Sequence, residues 1–155
     1  MKKIVIFGAT GNIGAYFTDY CKHMLDSSKY ELIAVGRKQT DFYNKAGIEY
    51  INVDLCNASD FDRLPKDDVY AVVNLAGLLP AYLKEYDPFK YVETNITGAL
   101  RILEYARKIM LIESFIPRHG LSKLDIGGRK RCFALSIQEN YYIQVIMRFI
   151  LSQRA

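Results

Sequence analysis

The chain reads as an α/β protein built on a doubly wound parallel sheet, and three observations predict it. Apolar runs of strand length recur along the first hundred residues, stretches of helical period separate them, and a glycine-rich turn joins the first run to the first helix. Strand and helix in alternation is the pattern of parallel strands linked by right-handed crossovers. The pattern supports four to five strands before it stops.

The first run, Ile4 to Phe7, is apolar at every position, as a strand buried on both faces must be. It ends at Gly8, and from Asn12 the period turns helical through Ile13, Phe17, Tyr20, Cys21 and Met24. Between them lies Gly8-Ala9-Thr10-Gly11-Asn12-Ile13-Gly14, a strand-turn-helix junction suited to a phosphate. Gly8 lets the chain turn tightly, and Gly11 offers no Cβ to fend off a pyrophosphate approaching the helix N-terminus. Gly14 lets the helix lie close on the strand. The plainer alternative is an ordinary strand-to-helix turn.

A second run, Tyr30 to Val35, reads as a strand closed by Gly36-Arg37-Lys38. In a doubly wound fold this strand end faces the adenosine ribose, where an acidic residue would bind the hydroxyls of NAD. Val35 to Lys38 contain none. Arg37 instead favours the 2′-phosphate of NADP, because a guanidinium pairs bidentately with phosphate. A solvated basic pair on a loop is the alternative. A short helix over Asp41 to Ala46 leads to Gly47 as its C-terminal cap. Ile48 to Val53 then alternate as a third strand ending in Asp54-Leu55. Val69 to Asn74 form a fourth, running into Leu75-Ala76-Gly77. A long helix follows over Phe89 to Lys108, with apolar positions at Val92, Ile96, Ala99, Leu100, Leu103 and Ala106.

The glycine spacing is Gly-x-x-Gly-x-x-Gly rather than Gly-x-Gly-x-x-Gly. With the later landmarks it resembles the extended short-chain dehydrogenase/reductases, within them the NAD(P)-dependent epimerase/dehydratase family, over residues 3–108. The resemblance implies a Rossmann-like fold binding NADP or NAD, with Gly8, Thr10, Gly11, Asn12, Ile13 and Gly14 forming the cofactor loop. It places Asp54 and Leu55 at the adenine edge, although a strand-end Asp that caps the next helix is the alternative. It runs Leu75, Ala76 and Gly77 along the cofactor and sets Asn95, within Asn95-Ile96-Thr97-Gly98-Ala99, near the catalytic residues. The implied reaction is reversible hydride transfer on a nucleotide sugar or related carbonyl or alcohol substrate, in a chain about twice as long.

Beyond Lys108 the resemblance stops. It calls for a strand ending in a Ser pair, then Tyr-x-x-x-Lys, whose Tyr is the acid/base. Ile109 to His119 contain no such pair, and neither Tyr141 nor Tyr142 has a Lys four residues on. Tyr86-Asp87-Pro88-Phe89-Lys90 has the right spacing but precedes the Asn95 helix, and Pro88 disturbs its helical geometry. No catalytic residue is therefore assigned. Read one base earlier, with codons free to vary, Met110 to His119 can spell Asn-Val-Asp-Arg-Ile-Ile-Tyr-Thr-Ser-Ser, an epimerase-like fifth strand. Residues 109–155 are accordingly expected to be a tail outside the family pattern, produced by a frameshift, and the chain a binding module without turnover.

Charge separates the same two regions. Residues 1–108 hold 14 Lys/Arg against 14 Asp/Glu, and residues 109–155 hold 7 against 3. The basic tail lacks regular Lys/Arg spacing and aromatic interleaving, so no nucleic-acid partner is expected. Its stretch from Tyr141 to Leu151 is apolar almost all round, suited to packing onto the sheet or to self-association with a second chain, but too short to span a membrane. Cys21, Cys56 and Cys132 are odd in number and lack metal spacing. Cys21 on the helix's apolar face and Cys56 beside a strand end read as buried thiols in a reducing, cytoplasmic setting. His23 and His119 have no partner pattern, and no metal site is expected.

Overall fold

The structure, a computed structural model, describes residues 1–79 and 87–110. Tyr86, His119, Cys132, the segment from Tyr141 to Leu151 and the rest of residues 111–155 lie outside the described residues, whereas Ile109 and Met110, expected to begin the tail, continue the last helix. Four parallel strands form one sheet: β1 (Lys2–Phe7), β2 (Tyr30–Gly36), β3 (Glu49–Asn52) and β4 (Val69–Asn74), in the order β3-β2-β1-β4. The order reverses direction between β1 and β4, because the chain first builds outward from β1 and then returns to its other side. β1 is thus central, pairing Ile4 with Leu32 on one side and Ala71 on the other.

Alternation along β1 sends Ile4 and Ile6 to one face and Val5 and Phe7 to the other, all of them buried. The first face is covered by α1 (Asn12–Met24) and α2 (Phe42–Lys45), which bury Phe17, Cys21 and Tyr43 against it. The second is covered by a helix that carries Ile102, Tyr105 and Ala106 onto Val5, Phe7 and Val72. Burial pushes the Cys21 thiol up to about 12, so it is a packing group. Cys56, expected to be buried, is only partly so.

Two elements differ from their sequence reading. The third strand begins at Glu49 because Ile48 is spent closing α2: its N–H donates to the Tyr43 carbonyl at 2.9 Å, and that of Gly47 to Asn44 at 3.0 Å. This pair of bonds, with Gly47 at φ 73°, is the Schellman cap. The long helix is α3 (Pro88–Tyr91), a π-helical turn over Val92–Thr97 and α4 (Gly98–Met110), started by Asp87. Asp87 Oδ1 accepts from Phe89 N at 3.1 Å. Val92, Ile96, Leu100 and Leu103 are exposed. The sheet-facing stripe is Gly98, Ile102, Tyr105 and Ala106, because Gly98 brings the helix down onto Leu55.

Candidate functional site

The carboxyl ends of all four strands lie along one edge, and the strand order switches there between β1 and β4, the place where doubly wound sheets take their ligands. Backbone bonds knit that edge together. Leu75 N donates to the Phe7 carbonyl at 2.9 Å, Ala9 N to Val35 at 3.0 Å, and Val53 N to Gly36 at 3.0 Å.

The glycine loop is defined by what cannot be added to it. Gly8 sits at φ 79°, and a Cβ there would stand 2.5 Å from Ala76 N, so the first turn and the β4 loop touch through backbone alone. A Cβ on Gly14 would stand 2.0 Å from the Gly8 carbonyl oxygen, which is how closely α1 lies on the turn. Gly11 differs: it is exposed, and an added Cβ would meet only the Gly8 oxygen, at 3.2 Å, a close contact rather than the outright clash found at Gly8 and Gly14. As the N-cap of α1, Gly11 supplies no side-chain acceptor, so no side chain competes for the first amides of the helix. Asn12 and Ile13 are exposed beside it, Ile13 by 44%. Thr10 leans the other way: a Cβ on Gly36 would strike its Oγ1 at 2.7 Å.

The β4 loop is fixed by two asparagines. Asn74 is buried, and its Oδ1 accepts from Ala76 N at 3.0 Å. Asn95, in the π-helical turn, takes both sides of Leu78: Oδ1 accepts from Leu78 N at 2.8 Å and Nδ2 donates to Leu78 O at 3.0 Å. Its amide therefore clamps the loop that carries Gly77, and such turns recur at functional sites. Gly77 itself is exposed, with only that amide oxygen near an added Cβ, at 3.7 Å.

Arg37 is exposed at the end of β2, and its guanidinium has no hydrogen bond or ion pair among the described residues. Its backbone carbonyl accepts from Asn52 Nδ2 at 2.8 Å. Asp54 stands at the end of β3, with Oδ1 accepting from Cys56 N at 2.9 Å. The cap of the following 3₁₀ turn is Asn57, whose side chain accepts from Ser59 N, so the helix-cap alternative for Asp54 falls away. Leu55 points inward: it is buried against Gly98, and Arg101 Nη1 donates to its carbonyl at 2.6 Å.

The sequence reading passed over Tyr43, Tyr50 and Asn52. Tyr43 OH donates to the Ala9 carbonyl inside the glycine loop. Tyr50 OH donates to the Lys38 carbonyl at 2.5 Å, and the two rings stack with centroids 5.6 Å apart at 11°. Burial pushes both phenols upward, opposed at Tyr43 by the neighbouring Thr18 hydroxyl and at Tyr50 by Asn52. Among the described residues no group of three His, Cys, Asp or Glu side chains could hold a metal ion. Nor is any helix there long and apolar enough to cross a membrane.

Comparison with known proteins bears on the family and the fold. The model of the NAD dependent epimerase/dehydratase family matches residues 4–117. L-threonine dehydrogenase from Clostridium difficile is similar at 28% identity and a TM-score of 0.58, over 70% of this chain and 34% of that one. UDP-glucose 4-epimerase from Thermus thermophilus, in complex with NAD, shares the fold at 20% identity and a TM-score of 0.57, over 69% and 34%. An uncharacterized membrane protein from Methanocaldococcus jannaschii is 26% identical over 151 residues, 91% of this chain and 44% of that protein. The chain spans less than half the length of these relatives.

Proposed function

The chain belongs to the NAD dependent epimerase/dehydratase family, and we propose that it is the dinucleotide-binding part of such a protein, selective for NADP over NAD. The glycine cradle carries this reading: Gly8 and Gly14 tolerate no Cβ, whereas Gly11 is exposed at the start of α1 and has only the Gly8 oxygen, at 3.2 Å, near an added Cβ, so its bare backbone can be approached by a ligand. The amides at the start of α1 would receive the pyrophosphate. Thr10, Asn12 and Ile13 would flank it, and Leu75, Ala76 and Gly77 would run beside it, held in place by Asn95. Asp54 and Leu55 would border the adenine, Asp54 by its partly exposed edge and Leu55 by shaping the wall from within. Arg37, with no competing partner among the described residues, would take the 2′-phosphate.

When bound, the dinucleotide supplies or accepts the hydride of the family's reaction on a nucleotide sugar or related carbonyl or alcohol. The protein's own share at this edge is binding and orientation. The proton donor that reaction needs has no candidate in the sequence, where no Ser pair and no Tyr-x-x-x-Lys follow the Asn95 helix. That observation favours a second reading, a module that binds dinucleotide without turning substrate over.

Calorimetric titration with NADP and NAD tests the binding, beside the shift each produces in melting temperature. NADP should bind, and Gly11→Val should abolish binding while leaving the unliganded melting temperature within a few degrees of wild type. A wild-type chain indifferent to millimolar NADP and NAD would refute the cradle. Steady NAD(P)H formation from a nucleotide sugar would refute the reading without turnover.

A further inference from the structure

Two loops would grip the adenosine half of the dinucleotide, and each is also reached by a tyrosine hydroxyl from a neighbouring element. Ala9, in the glycine loop, presents a carbonyl that Tyr43 OH takes from α2. Lys38, beside Arg37, presents a carbonyl that Tyr50 OH takes from β3 at 2.5 Å. The two rings lie face to face, 5.6 Å between centroids and 11° from parallel. A third contact ties the same strand to the same loop: Asn52 Nδ2 donates to Arg37 O at 2.8 Å and to Gly36 O at 3.3 Å. Tyr50 and Asn52, two apart on β3, thus hold three successive carbonyls, those of Gly36, Arg37 and Lys38.

Packing alone does not require either hydroxyl. Tyr43 is buried and Tyr50 half-buried, and phenylalanine would fill both spaces equally well. The hydroxyls end on backbone oxygens of the two loops where cofactor is read. The space between them is tight as well, since a Cβ on Gly36 would meet Thr10 Oγ1 at 2.7 Å and Tyr50 OH at 3.1 Å. A shift of either loop is therefore felt by the other.

We propose that the stacked Tyr43–Tyr50 pair is a positioning device that fixes the Arg37–Lys38 loop relative to the glycine loop, and so sets discrimination between NADP and NAD. Tyr50 acts through Arg37: its hydroxyl orients the Lys38 peptide, which aims the neighbouring guanidinium at the 2′-phosphate. Tyr43 holds the pyrophosphate side, common to both cofactors. The inference rests on the dinucleotide reading above.

The test is a double-mutant cycle, read as the ratio of NADP to NAD dissociation constants. Tyr50→Phe keeps the ring and its stacking, and should weaken NADP about five-fold more than NAD, the scale of one lost hydrogen bond. In an Arg37→Ala background the same change should leave the ratio unaltered, since the group it orients is gone. Tyr43→Phe should weaken both cofactors alike. Asn52→Ala, which frees the Arg37 carbonyl from the same strand, gives a second route to the ratio should Tyr50→Phe not fold. A lowered melting temperature with an unchanged ratio in Tyr50→Phe, or an equal change of ratio with and without Arg37, would overturn the inference alone. A wild-type chain that binds neither cofactor would overturn the dinucleotide reading and this inference together.

Discussion

The glycine loop between β1 and α1 and the Arg37–Lys38 loop after β2 lie side by side on one edge of the sheet, yet they are held by opposite means. The first is held largely by backbone surfaces in contact: Gly8 against Ala76, Gly14 against Gly8, with no room for a Cβ at either. The second is held by side chains reaching to its carbonyls, Asn52 to Gly36 and Arg37, and Tyr50 to Lys38. Contact between backbones is unforgiving and leaves no freedom of residue type. Hydrogen bonds to carbonyls each contribute about 1 kcal/mol and can be trimmed one at a time. The glycine loop should therefore fail by unfolding, and the Arg37 loop by losing selectivity.

Gly14→Ala is the sharpest way to break that contrast. Its Cβ would sit 2.0 Å from the Gly8 oxygen, a backbone atom with no rotamer to escape into. Parting α1 from the turn costs about 3 kcal/mol or more, a large share of a small domain's stability. Chemical denaturation should show that loss directly, and dinucleotide binding should vanish with it. A Gly14→Ala chain of wild-type stability would mean that α1 does not lie on the turn as described.

The same contrast explains how much could be read in the sequence. A glycine demanded by sterics is specific to its position, so the turn at Gly8 and the close lie of the helix at Gly14 were legible from the glycine spacing. β1, β2 and β4 were legible too, because strands buried on both faces are written as unbroken apolar runs. Tyr43 and Tyr50 were not. In a chain with 12 tyrosines, each reads as core, and only the fold brings their hydroxyls to Ala9 and Lys38. Asn52 and Tyr50 do alternate on one strand, a pattern that signals a shared face but not its target. Asp54 offered two roles, and the fold removes the helix-cap one, since Asn57, three residues on, takes the cap. In the helix after Asp87, an apolar series was visible from Val92 to Leu103. The burying face follows instead from Gly98, whose missing Cβ admits Leu55 at a place no periodicity marks.

A smaller effect is expected from Arg37→Ala. The side chain is exposed and carries no structural bond among the described residues, so the melting temperature should not move. NADP should weaken by about 1–3 kcal/mol more than NAD, the worth of a charge-assisted pair. The difference should shrink as salt screens it. Titrations of both cofactors at two ionic strengths measure this, and equal losses for the two would leave Arg37 a solvated surface charge.

The smallest effect should come from Thr18→Val, which probes whether the glycine loop depends on a side-chain bond besides that of Tyr43. Thr18 is fully buried on α1, and its Oγ1 donates to the Gly14 carbonyl at 2.7 Å. Valine keeps the branched shape and removes only the hydroxyl, which donates to Gly14 and also neighbours the Tyr43 phenol. The Gly14 carbonyl retains its place as an acceptor in the helix ladder, so nothing buried is stranded, and the loss should be about 1 kcal/mol. A melting temperature a few degrees lower would record it. The ratio of NADP to NAD affinity should stay at the wild-type value, because the Tyr43 hydroxyl still reaches Ala9 and the Arg37 loop is untouched. If Thr18→Val instead altered the ratio as strongly as Tyr50→Phe, the two loops would share one hydrogen-bonded framework. The division between a loop set by sterics and a loop set by hydrogen bonds would then be lost.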